Sequence, residues 1–234
     1  PNGGLVVSSS AETLTFWDAQ KWAMRRTMMV PSPCASLLAE PTSGLLFSGG
    51  NDGDIYGWHI HNCLNSNMKE GAHALRMRGH TDIVTDLAAL PLLKAVISTS
   101  MDTRARLWDS ETGLMRKEFV GHRKGILSCA YQEDYKFIVT AGSDHDAFVW
   151  NPFVDRCTFR LQGHNHSLVK VIVAPNSPQI ITTDVERTVK IWDCRNFQCM
   201  QTLLLDEAGS VLEMPGEVKM PVTSMTFIPK MRRI

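Results

Sequence analysis

No apolar run in this chain can cross a bilayer. The longest, Leu87–Leu93, is seven residues and contains Pro91, against the roughly 20 that a membrane-spanning helix needs. No charged segment leading into an apolar one opens the chain, so no secretory signal is read. It begins at Pro1 rather than Met, and its N-terminus is expected to lie upstream. Neither sign of charge is in excess, with 24 basic and 24 acidic residues and a sequence pI near 7.4. That balance argues against general binders of nucleic acid or anionic membranes. The six cysteines (Cys34, Cys63, Cys129, Cys157, Cys194, Cys199) form no Cys-x-x-Cys pair. Cys129 reads as core, the five-residue spacing of Cys194 and Cys199 is weak ground for a bridge, and reduced thiols in a cytosolic protein are expected. No glycine pattern for cradling phosphates opens a helix. What remains is a chain of 234 residues, 44% hydrophobic and 21% charged, which suits one large all-β domain or two small ones.

Against these absences stands one repeated stretch. Gly79–Asp109 opens on Gly-His, runs through two apolar segments, turns at Met101-Asp102 and closes on Trp-Asp. The frame returns at Gly121–Asn151 and Gly163–Asp193, with His80, His122 and His164 42 residues apart and Trp108, Trp150 and Trp192 at the same interval. A period of about 40–45 residues with this opening and close is the mark of a β-propeller blade. In each frame a hydroxyl (Ser98, Thr140, Thr182) follows the histidine by 18 residues and precedes the tryptophan by 10, and an acidic residue (Asp102, Asp144, Glu186) precedes the tryptophan by six.

The three frames resemble the WD-repeat family. That resemblance implies four-stranded blades, each locked by a chain of hydrogen bonds from carboxylate to imidazole to hydroxyl to indole. It assigns these roles to His80, Ser98, Asp102 and Trp108, and to His122, Thr140, Asp144 and Trp150. The donor and acceptor chemistry fits, since indole only donates, hydroxyl and imidazole do both, and an ionised carboxylate only accepts. The third set is His164, Thr182, Glu186 and Trp192, in which Glu186 is one methylene longer than the expected Asp.

The expected fold is an all-β propeller in blade units of approximately 1–30, 31–78, 79–120, 121–162 and 163–205, with a further blade starting within 218–234. Leu5–Asp18 reads as the second and third strands of a blade without the hydrogen-bonded set, because Val7 and Ala11 occupy the hydroxyl and carboxylate positions. The next unit keeps Ser48, Asp52 and Trp58 at the right spacing but has Val30 in place of histidine. Asn51-Asp52-Gly53-Asp54 reads as a turn, since it lacks the remaining ligands of a calcium loop. His59 and His61 alternate as on one strand face but have no third ligand nearby, so His59–His73 is expected to be a solvated polar loop. Val222–Ile228 alternates apolar and polar residues like a first strand. The strand count allows a closed five-bladed ring. An arc of a larger ring, completed by the remainder of a longer polypeptide, is the expectation.

No catalytic constellation is expected, because Ser/Thr, His and Asp recur together in every regular frame and one active site has no use for three copies. No cofactor and no metal site is expected. In WD-repeat propellers the upper rim is formed by the residues three and five after the histidine and the one before the carboxylate. By that resemblance the rim holds Ile83, Thr85 and Met101, then Gly125, Leu127 and Ser143, then Ser167, Val169 and Val185. So apolar a rim points to other proteins as partners, and not to nucleic acid or membrane. A finer similarity, in Ser167–Leu203, is to WD-repeat proteins of cilia and flagella, some of which carry EF-hands. It implies a structural, microtubule-associated scaffold in the cytoplasm or cytoskeleton, with tubulin or axonemal proteins as partners. The alternative is an adaptor of a signalling or regulatory complex, and a third reading is an enzyme with a central-channel site.

Overall fold

The computed structural model describes residues 4–40, 43–64, 73–154, 156–175 and 177–205. Within them lie nineteen strands in five antiparallel sheets. The first sheet has three strands, β1 (Leu5–Ser10), β2 (Thr13–Asp18) and β3 (Ala23–Met29). The others have four each, in simple meander order. They are β4 (Cys34–Glu40), β5 (Leu45–Gly50), β6 (Ile55–His59) and β7 (Leu75–Met77), then β8 (Val84–Leu90), β9 (Ala95–Ser100), β10 (Arg104–Asp109) and β11 (Met115–Val120). After these come β12 (Ile126–Gln132), β13 (Phe137–Gly142), β14 (Ala147–Trp150) and β15 (Cys157–Leu161), and finally β16 (Leu168–Val173), β17 (Gln179–Asp184), β18 (Thr188–Asp193) and β19 (Cys199–Leu204). The segment Val222–Ile228, expected to be a strand, lies outside the described residues.

By contacts the chain forms two units, residues 1–102 with 106–117, and residues 103–105 with 118–234. In the first, Leu14, Phe16, Leu46 and Trp58 join one core, and Phe47, Ile55, Val84, Leu87 and Trp108 another. In the second, Val139, Val149, Leu168, Val171, Ile180 and Trp192 form the core between the last two sheets. Strands covered on both faces lose the inside–outside alternation of a half-exposed sheet. β5, β9 and β13 are accordingly buried at every residue.

The first strand of each four-stranded sheet departs from regular pairing at its start. In β8 the buried residues are Val84, Leu87 and Leu90, three apart. The departure is a bulge: the register slips between Val84 and Asp86, between Ile126 and Ser128, between Leu168 and Lys170, and between Cys34 and Ser36. One residue of each first strand is thereby left without a cross-strand partner and re-aimed.

Two local rules account for the Gly-His of the first two frames and for the Trp-Asp or Trp-Asn close. A methyl group on Gly79 would lie 3.0 Å from Cη2 of Trp108, and on Gly121 2.8 Å from Cη2 of Trp150, so glycine there lets the indole edge reach the backbone. After the tryptophan, Asp109 Oδ1 accepts the N–H groups of Glu111 and Thr112, and Asp18, Asn151 and Asp193 cap their turns in the same way. Trp58 is followed instead by His59 and a helical turn, Ile60–Cys63, whose Cys63 is fully buried in the first core. The expected solvated loop at His59–His73 is thus corrected at its start, while residues 65–72 lie outside the described residues. All six cysteines are free thiols. Among the described residues no helix is long and apolar enough to cross a membrane.

Gly121→Ala forces a rigid ring to move, and we expect it to lower stability by about 1–3 kcal/mol. Urea unfolding of the full chain checks this; an unchanged midpoint contradicts the close approach.

Candidate functional site

Three buried hydrogen-bond chains stand at corresponding places in the last three sheets. In the first, Trp108 Nε1 donates to Ser98 Oγ at 2.7 Å, Ser98 Oγ lies 2.7 Å from His80 Nε2, and His80 Nδ1 lies 2.8 Å from Asp102 Oδ2. In the second, the same roles fall to Trp150, Thr140, His122 and Asp144, at 2.8, 2.8 and 2.9 Å. The polarity follows from chemistry. Since indole can only donate, the hydroxyl accepts from it and turns its own hydrogen to Nε2, which leaves Nδ1–H to donate to the carboxylate.

The third chain corrects the sequence reading. Trp192 Nε1 donates to Thr182 Oγ1 at 2.9 Å and Thr182 Oγ1 lies 2.7 Å from His164 Nε2, but the carboxylate on His164 Nδ1 is Asp184, at 2.8 Å, and not Glu186. The equivalent of Asp184 in the preceding sheet is Gly142, where an added Cβ would sit 2.5 Å from His122 Nδ1. A carboxylate at this strand position is therefore already beside the imidazole, and the longer Glu186 in the turn is displaced from the role. The signal was present in the sequence as Asp two residues after the hydroxyl, where the other frames have Ser100 and Gly142.

Burial raises the pKa of Asp102, Asp144 and Asp184, and this is the largest single influence on each. It is outweighed by hydrogen bonds from His80, Arg106 and the Thr81 N–H in Asp102, from His122 and the Arg123 N–H in Asp144, and from His164 and the Thr188 N–H in Asp184. All three carboxyls end below their ordinary value. Arg106, whose Nη1 lies 2.8 Å from Asp102 Oδ2, was missed by the sequence reading; Phe148 holds the same place in the next sheet, its ring centroid 4.3 Å from that of His122.

The first two sheets depart from this plan. Trp17 Nε1 donates to Ser8 Oγ at 2.9 Å in an exposed bond, so the indole has a partner nine residues back although Val7 holds the usual place. In the second sheet Val30 is buried where a histidine would stand. Asp52 instead accepts from the Tyr56 hydroxyl at 2.6 Å, and burial followed by that carboxylate pushes the Tyr56 pKa up to about 12. The fully buried Trp58 Nε1 has no acceptor among the described residues.

Hydroxyl, imidazole and carboxylate in sequence are also the chemistry of an activated nucleophile. Here Ser98, Thr140 and Thr182 are wholly buried, and each already accepts an indole N–H. These groups hold strands together. Among the described residues no cluster of three or more His, Cys, Asp or Glu side chains could hold a metal ion.

The residues assigned to a rim do fall into a repeated geometry. The amide of Met101 donates to the Ile83 carbonyl at 3.0 Å, that of Ser143 to Gly125 at 2.8 Å and that of Val185 to Ser167 at 3.0 Å. Thr85, Leu127 and Val169 are the residues freed by the bulges. Met101 is exposed, Gly125 is buried, and Ile83, Thr85, Leu127, Ser143, Ser167, Val169 and Val185 are partly exposed. In the second unit Ser167 Oγ donates to the Ser143 carbonyl at 3.3 Å, linking the two sheets at this end. Sequence reasoning missed a further set, Pro33, Ala35 and Asn51, where Asn51 N–H donates to the Pro33 carbonyl at 2.9 Å and Ala35 occupies the bulge. Without a Gly-His opening, only the Ser48–Trp58 spacing could have located it.

The profile of the WD domain, G-beta repeat, matches residues 72–109, 113–151 and 155–193. These are the segments that carry the three buried chains. The chain belongs to the WD-repeat family. Its four-stranded sheets are WD blades, and WD repeats act in protein–protein interaction. Similar curated proteins include cilia- and flagella-associated protein 337 B of Tetrahymena thermophila, 27% identical over 187 residues, which is 80% of this chain and 14% of that protein. Autophagy-related protein 16 of Arabidopsis thaliana is 30% identical over 44% of this chain and 20% of its own length. Nuclear distribution protein nudF of Aspergillus niger is 29% identical over 56% and 30%. The chain thus spans less than a third of the length of each of these relatives.

Two outcomes follow for this WD chain. Trp108→Phe leaves buried Ser98 without its donor and should cost about 1–3 kcal/mol. Trp17→Phe breaks only an exposed bond and Trp58→Phe deletes an unpaired buried donor, so both should cost less in urea unfolding. Equal losses at all three positions contradict the assignment. The depressed carboxyls also make stability pH-dependent. The unfolded chain, with Asp near 3.9, binds protons more readily than the folded one, so their contribution is intact above about pH 4 and falls as acid protonates them. Asp144→Asn should flatten that acid limb, as measured by unfolding midpoints from pH 6 to 3; an unchanged slope contradicts it.

Proposed function

We propose that this chain is a non-catalytic scaffold that binds other proteins through the rim at the bulged ends of its innermost strands. The observation that carries the reading is that each bulge frees one side chain at the same end of its sheet, and in the last two sheets that side chain is Leu127 or Val169, partly exposed and apolar. Val185 has the same character in the second unit, and Ile83 and Met101 repeat it within the first. Apolar side chains held out of the core by rigid strands suit an interface that is desolvated on association. The buried use of every recurring Ser/Thr, His and Asp supports a structural role for those residues over a catalytic one.

The similarity to a protein named as cilia- and flagella-associated, over four-fifths of this chain, supports a place in a ciliary or flagellar microtubule assembly. Tubulin or axonemal proteins are then the partners and the cytoskeleton the location. The shorter similarities to an autophagy-related and a nuclear distribution protein favour, as a second reading, an adaptor in a regulatory complex.

Replacing Leu127 and Val169 together with Asp puts two charges into this surface, each opposing association by about 2 kcal/mol or more if it is buried there. The variant should keep its fold by circular dichroism, fail to incorporate into axonemes and lose its partners in co-precipitation. A folded variant that incorporates normally and keeps every partner contradicts the proposed surface, whereas loss of a single co-precipitated partner with normal incorporation favours the adaptor.

A further inference from the structure

In the second unit, the loops at the bulged end carry their charges asymmetrically. Every carboxylate there is engaged: Asp144 by His122 and the Arg123 N–H, Asp146 by Arg160, and Asp184 by His164 and the Thr188 N–H. Glu186 also has a partner. Of the cations, Arg160 is paired with Asp146 and Arg187 is buried with a partner, but two others are not so used. Arg123 and Lys124, the two residues after His122, are both exposed, and among the described residues neither side chain forms an ion pair. The corresponding pairs in the neighbouring frames are Thr81-Asp82 and Asn165-His166, so the feature belongs to this sheet and is not a property of the repeat. Arg123 and Lys124 thus place two exposed cations without an ion-pair partner among the described residues at this end of the unit.

Those cations border the apolar surface. Gly125, which follows Lys124, is tied to Ser143 by the backbone bond, and Ser143 is tied to Ser167 on the next sheet. Leu127 and Val169 emerge from the bulges beside these two links. A phosphate backbone would find the cations but would desolvate Leu127 and Val169 for nothing. A polypeptide segment carrying both carboxylates and an apolar side chain satisfies both features.

We propose that the rim of the second unit recognises an acidic polypeptide segment, with Leu127 and Val169 receiving its apolar side chain and Arg123 and Lys124 its carboxylates. This rests on the rim being a protein-binding surface and specifies the chemistry of what binds. Exposed charges of this kind chiefly raise the association rate and set partner choice, and their effect weakens with salt.

The test is selection from a random twelve-residue peptide display library on the immobilised full chain, followed by titration of the enriched peptides in solution. Enrichment of Asp and Glu beside an apolar residue is expected, with affinity falling at least about tenfold in Arg123→Glu/Lys124→Glu and falling as salt rises. The milder Arg123→Gln/Lys124→Gln variant covers the case in which charge reversal disturbs the fold. Neutral or basic peptides, no enrichment, or acidic peptides indifferent to both charge variants would overturn the proposal. If the selected peptides are not acidic yet are lost in Leu127→Asp/Val169→Asp, the rim stands as a protein site and only the acidic specificity fails. Peptides retained in that double variant remove the rim itself.

Discussion

Three blades of this protein depend on a buried hydroxyl. Ser98, Thr140 and Thr182 each stand on the second strand of a sheet, accept an indole N–H from the third strand, and donate to an imidazole that precedes the first. A residue with only a donor or only an acceptor could not make the join, since the indole must donate and Nε2 must accept once Nδ1 faces a carboxylate. Each chain is fully satisfied and removed from water, and so is worth more than its members taken singly. The same arrangement explains why histidines, hydroxyls and aspartates that resemble a nucleophile's machinery serve as cross-links: the oxygen has no free face.

The bulge is the second constraint. It leaves one residue of the first strand without a cross-strand partner at one end of each four-stranded sheet. The outward surface is thereby separated from the core in sequence terms. Leu127 can vary in chemistry while Ile126 and Cys129 remain buried. A scaffold family needs this independence, because partner choice can then change without loss of the hydrogen-bonded chains beneath.

Much of this was legible in the sequence, and the places where it was not have physical causes. The intervals from histidine to hydroxyl and from hydroxyl to tryptophan are held by strand register, so they are readable as fixed numbers. The carboxylate is not held in that way. It needs only to reach Nδ1, and Asp184 does so from the strand while Asp102 and Asp144 do so from the turn. Reading the turn position alone pointed to Glu186. Similarly, Ser8 partners Trp17 from one residue away from the usual hydroxyl position, which a fixed interval excludes. The helical turn Ile60–Cys63 escaped because polar neighbours obscure a single buried cysteine. The set Pro33, Ala35 and Asn51 shares its backbone geometry with the other rims but none of their side-chain chemistry, and only geometry reveals it.

The direction of these hydrogen-bond chains fixes a tautomer. Nitrogen-15 NMR of histidine-labelled full chain should show His122 and His164 carrying a proton at Nδ1, toward Asp144 and Asp184, with slowly exchanging Nδ1–H signals. Asp184→Asn should shift the His164 signal, and Glu186→Gln should leave it in place. Imidazoles protonated at Nε2, or a His164 signal that responds to Glu186 and ignores Asp184, would contradict the account.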